Sequence, residues 1–72
     1  MNPATHVVEK FGGVTAVASA LGVPHSTVLR WTYPRDRGGT GGVIPSRRQQ
    51  ELMQLARERG VELGPNDFFE AA

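Results

Sequence analysis

Apolar residues along this chain fall into short runs at helical spacing, each closed by glycine or proline. Ala4, Val7, Val8 and Phe11 stand at i, i+3, i+4 and i+7, which puts them on one helical face. Asn2 suits an N-cap, Pro3 the first helical turn, where its missing N–H has no partner to lose, and Gly12 a stop. The first helix is expected over Asn2 to Phe11. Val14, Val17, Ala18 and Leu21 repeat the spacing, with Ala16, Ser19 and Ala20 keeping the segment slim and Gly22 ready for a left-handed turn. A second helix is therefore expected from about Gly13 to Leu21, too short to persist unless packed against neighbours.

The third helix is expected to take Pro24 as its first residue and to run through about Thr32. Val28 and Trp31 face inward and Val23 anchors the turn, which leaves His25, Ser26, Leu29 and Arg30 facing outward. Pro34, Gly38, Gly39, Gly41 and Gly42, with Asp36 and Thr40, forbid regular helix and predict a flexible connection within residues 34–44. Ile44 and Pro45 lead into a fourth helix carrying Leu52, Met53, Leu55 and Ala56 and stopped by Gly60. It starts at Ser46 if Ser46 and Gln49 form a capping box, or at Pro45 if proline takes the first helical position, and it ends near Arg59. In the tail, residues 60–72, Val61 and Leu63 offer apolar contacts, and a turn at Gly64 to Asp67 ends in Phe68 and Phe69. The pattern is all-α, a single domain of four to five helices over residues 1–72.

At 72 residues the chain has room for one modest core, and without cysteine its stability must come from packing or self-association. Structural thiolate zinc sites and thiol nucleophiles are excluded, and the composition suits a reducing compartment. No apolar stretch approaches the roughly 20 residues that span a bilayer, and the N-terminal residues do not read as a secretory signal. A soluble cytoplasmic protein with no membrane partner is expected.

The formal net charge of +1 conceals a polarity along the chain. Arg30, Arg35, Arg37, Arg47 and Arg48 share a stretch whose only acid is Asp36, a local balance of +4, while the remaining residues carry −3. Such a stretch can face phosphates, though clustered arginine also merely solvates loops. Other chemistry finds little footing. His6 and His25 lie on different expected helices without a ligand cluster, no Ser/His/acid arrangement is assembled, and the glycines after Gly38 lack the strand and Gly-Lys-Ser/Thr of a nucleotide-binding loop. Neither an enzyme, a metal site, a cofactor nor a small-molecule ligand is expected.

Two short helices joined by a glycine-containing turn form the unit that lets a helix project into the major groove of DNA. Ala18 at the crossing, Gly22 in the bend, and Val17, Leu21, Val23, Val28 and Trp31 along the seam satisfy that unit over about residues 14–33. With Phe11-Gly12-Gly13-Val14, Ala18-Ser19-Ala20-Leu21-Gly22-Val23, Ser26-Thr27-Val28, Arg30-Trp31 and Ile44-Pro45, the sequence resembles the Cro and phage-repressor group, in particular the carph-isopro domain, over about Val8 to Phe69. Two features depart from that group: Pro24 stands where a polar N-cap is usual, and the glycine-rich loop is long. The resemblance implies a lambda-repressor-like, bacterial, phage-derived regulator of transcription, commonly a homodimer on a near-palindromic operator. It carries base contact onto His25, Ser26, Leu29 and Arg30. Thr27, Arg35, Arg37, Arg47 and Arg48 are expected at phosphates or the minor groove, and Phe68 and Phe69, with the fourth helix, at a dimer interface. The competing expectation is a protein-interaction module of antitoxin or anti-repressor type.

Overall fold

Each expected helix forms, and its neighbours explain its limits. The computed structural model describes residues 2–69, with α1 over Pro3–Lys10, α2 over Val14–Leu21, α3 over His25–Thr32 and α4 over Ser46–Arg59. Two 3₁₀ turns, Arg35–Arg37 and Pro65–Phe68, complete the order, and no strand occurs among the described residues. Asn2 caps α1 by accepting the Thr5 N–H at 2.9 Å on its side-chain oxygen. Gly22 closes α2 in the left-handed region at φ 69° and ψ 34°, a conformation that a Cβ would disfavour.

Pro24 and Pro45 do not occupy the first helical positions. Both precede their helices as N-caps, at ψ 148° and 143°, because the pyrrolidine ring fixes φ but leaves ψ free to stay extended. The Ser46–Gln49 capping box is absent as well; Gln49 Nε2 instead donates to the Ile44 carbonyl at 2.7 Å.

The largest fully buried side chains of the core are Val7, Val17, Val28 and Leu52, one from each helix, and Ile44 from the connection before α4. Trp31 closes it from α3, and Ala4, Ala18 and Ala56 are buried small residues that allow close packing. α2 packs chiefly on α3, α1 lies against both and against the C-terminal turn, and α4 meets α2.

Phe68 also belongs to this core, at 4% exposure, which corrects its expected place at a subunit interface. The C-terminal turn is held on α1 by a polar cluster in front of it. His6 Nε2 bonds Asp67 Oδ1 at 2.9 Å, Lys10 Nζ donates to the Glu62 carbonyl at 2.7 Å, and the Gly64 N–H donates to Asp67 Oδ2 at 2.8 Å. The Gly64 N–H, then the His6 hydrogen bond and the nearby Lys10 charge hold the Asp67 carboxyl below its ordinary value of 3.8, against a smaller opposing effect of burial.

The glycine-rich connection is not a loose linker. It folds back over the C-terminal end of α3 and supplies partners for carbonyls that a helix leaves bare. Arg30 O accepts from Thr40 N at 3.0 Å, Trp31 O from Gly42 N at 3.0 Å and Tyr33 O from Gly41 N at 2.9 Å. Leu29 O accepts from Thr32 Oγ1 at 2.7 Å, and Thr32 O from Asn2 Nδ2 at 2.9 Å. Asn2 thus caps α1 with its oxygen and α3 with its nitrogen. The returning chain passes so close that a Cβ on Gly42 would stand 2.7 Å from Asn2 Cβ.

Candidate nucleic-acid interface

The outward side of α3 follows from its inward side. Val28 and Trp31 are driven into the core, so Ser26, Leu29, Arg30 and Tyr33, at i, i+3, i+4 and i+7, share the opposite face. His25, Ser26 and Arg30 are exposed, whereas Thr27 and Leu29 are half-buried. With Arg37 and Gly38 the four residues of this face line an open depression of about 270 Å³.

The 3₁₀ turn is what brings Arg37 there. Pro34 fixes its entry, Gly38 in the left-handed region closes it, and Gly39 N returns to the Pro34 carbonyl at 3.0 Å. Arg35, one residue into the same turn, lines no part of the depression and lies across Gly41. Arg47 is exposed on the first turn of α4, while Arg48 donates from Nη1 to Glu51 Oε1 at 2.7 Å. Among the described residues Arg48 pairs with Glu51 and Lys10 with Asp67, whose carboxylate also meets His6; no such contact involves Arg30, Arg35, Arg37 or Arg47.

The fold therefore gathers Ser26, Leu29, Arg30 and Arg37 into one place and leaves His25, Thr27, Arg35, Arg47 and Arg48 outside it. Tyr33 was missed in the sequence reading, although the periodicity that selects Ser26, Leu29 and Arg30 reaches it one turn later. It is 43% exposed, a large ring among the residues that line the dent, where it can stack, pack on a sugar or donate its hydroxyl. Phe69, 70% exposed, remains a surface residue of the tail.

No group of three or more histidine, cysteine or acidic side chains placed to hold a metal occurs among the described residues. No helix among them is long and apolar enough to cross a membrane. No protein-family model, curated protein or solved structure matches the chain.

Proposed function

We propose that this protein is a sequence-specific DNA-binding regulator, a repressor of the lambda-repressor-like helix-turn-helix kind, that sets α3 in the major groove. One observation carries the reading: α2, the turn of residues 22–24 and α3 pack as a unit whose exposed face presents Ser26, Leu29 and Arg30 beside arginines that have no acidic partner among the described residues. The major groove, roughly 12 Å wide, admits a helix, and its base edges offer donors and acceptors to such a face. Arg30 is assigned to guanine O6 and N7, Leu29 to a thymine methyl, and His25 and Ser26 to base edges near the helix start. Arg35, Arg37 and Arg47 neutralise phosphates, and the Thr27 hydroxyl donates a hydrogen bond to one. The protein acts as a cytoplasmic homodimer on a near-palindromic operator.

A second reading is favoured by a different feature. Between α2 and α4 lies a depression of about 220 Å³ lined by Leu21 and Leu55 together with Glu51 and Glu58, whose apolar and acidic side chains suit a protein partner better than the phosphates of DNA. A pure protein-binding module would use that face and would show no salt-steep affinity for duplex DNA.

Selection of bound duplexes from a random pool separates the two. Enrichment of a common sequence is expected, with Arg30→Ala weakening the preferred site by about 1–3 kcal/mol, relaxing one position per half-site and leaving unrelated duplexes much less affected. A pool from which nothing is enriched at moderate salt removes the DNA reading. Equal losses on all duplexes would make Arg30 a phosphate contact.

A further inference from the structure

We infer that Arg37 and Tyr33, set beside the base-reading Arg30 and Ser26, form a subsite that holds the sugar-phosphate of the nucleotide next to the base that Arg30 reads, while Arg35 binds independently of it. The inference rests on the DNA-binding reading above and sharpens it, because charge pattern alone treats Arg35 and Arg37 as equivalent.

Three observations support it. The first is placement. Five successive carbonyls, Leu29 to Tyr33, are satisfied by Thr32, residues 40–42 and Asn2, so the connection is fastened to the end of α3 and the turn holding Arg37 is fastened with it. Arg37 thereby comes to a face that begins at Ser26, eleven positions earlier.

The second is chemistry. Arg30 and Arg37, the hydroxyl-bearing Ser26 and Tyr33, and the apolar Leu29 line one dent together, and no acidic side chain lines it. Guanidinium pairs geometrically with phosphate oxygens, and a deoxyribose face packs on apolar surface. At about 270 Å³ and open to solvent, the dent falls short of the roughly 300–1,000 Å³ clefts that enclose small ligands. It suits a segment of a polymer laid across it.

The third is the contrast with Arg35. Its Cγ and Nε would stand 3.4 Å from a Cβ at Gly41, so its stem crosses the returning loop away from Ser26 and Arg30. Neighbours in sequence, the two arginines serve different surfaces.

The full chain and its variants Arg30→Ala, Arg35→Ala, Arg37→Ala, Arg37→Lys and Tyr33→Phe, with the doubles of Arg30→Ala with Arg35→Ala, Arg37→Ala and Arg37→Lys, are titrated by fluorescence anisotropy on the enriched duplex at several salt concentrations. Helicity by circular dichroism confirms that each variant is folded. Arg37→Ala is expected to flatten the salt dependence by about one unit per subunit. In the Arg30/Arg37 double the combined loss should fall at least threefold short of the product of the single losses, whereas Arg30/Arg35 losses multiply. Arg37→Lys should keep the salt slope and still lose the coupling, since a point charge replaces a fork. Multiplicative losses in both doubles overturn the inference and leave the DNA reading standing. An unchanged affinity in Tyr33→Phe removes the tyrosine hydroxyl from the subsite. Absence of any duplex binding by the unsubstituted chain removes the DNA reading, and the inference with it.

Discussion

Two glycines in this chain do opposite jobs, and their replacement by alanine tells the jobs apart. Gly22 needs a left-handed backbone but has open space where a Cβ would go, so Gly22→Ala should cost about 1 kcal/mol, the ordinary penalty for that conformation. At Gly39 the difficulty is steric: a Cβ there would overlap the backbone carbonyl of Tyr33, and the loop could accept it only by releasing the end of α3. Gly39→Ala should therefore cost at least about 2 kcal/mol, through overpacking and the hydrogen bonds given up. Urea unfolding of both variants measures the difference; equal, small losses would mean that the connection does not clamp α3. Gly22 was legible from sequence because its signal is local, an apolar helix face ending just before it. Gly39 was not, because its partner is a main-chain carbonyl, which no residue type reveals. The same stretch of glycines thus reads as a flexible connection. Arg37 was legible as a cation and illegible in position, since its position depends on that fold-back.

At the scale of elements, the C-terminal turn shows where periodicity stops being informative. Phe68 and Phe69 are adjacent and chemically alike, and only the 3₁₀ geometry of Pro65–Phe68 decides that the first is buried on α1 and the second exposed. The contacts that seat the turn join His6 to Asp67, 61 positions apart, beyond the reach of any spacing argument. Helices α1 to α4, by contrast, each carry their own apolar face and were readable to within a residue or two. The seat of the turn has a predictable pH dependence. Asp67 is depressed in the folded chain, chiefly by the Gly64 N–H and next by His6, so its contribution is complete above its unfolded value near 3.8 and disappears as pH falls through the lower folded value. Asp67→Asn should be less stable than the parent by about 1 kcal/mol near neutral pH, the scale of a charge-assisted hydrogen bond on a partly exposed group. The gap should close once the parent's carboxylate is protonated. Unfolding curves of both chains across this range provide the check, and a gap that persists unchanged below the folded value would show that the carboxylate charge is irrelevant to the seat.

The whole molecule sets the stoichiometry expected on DNA. An α3 of eight residues is about 12 Å long at 1.5 Å per residue, so it can follow only three or four base pairs of groove at about 3.4 Å each. Contacts over so few positions, each worth about 1–3 kcal/mol of discrimination, single out a site poorly, and a two-fold pair doubles them. The molecule's longest extent is 35 Å, close to the roughly 34–36 Å that separates successive major grooves on one face of the duplex. Under the proposed pairing, a two-fold pair on one face of the duplex presents its α3 helices one helical turn apart. The enriched duplexes should carry two inverted half-sites with centres about 10 base pairs apart and should saturate at two chains. Inserting about five base pairs between the half-sites turns the second groove to the far side and should abolish joint binding. Phe69 is exposed and apolar among the described tail residues, and under the proposed pairing Phe69→Ser should weaken joint occupancy while leaving the fold intact, whereas Phe68→Ser should unfold the chain by opening the core. Analytical ultracentrifugation of the complexes, with melting curves of the free variants, reads both effects. Saturation at one chain per enriched site, or indifference to the inserted spacer, would exclude the paired arrangement.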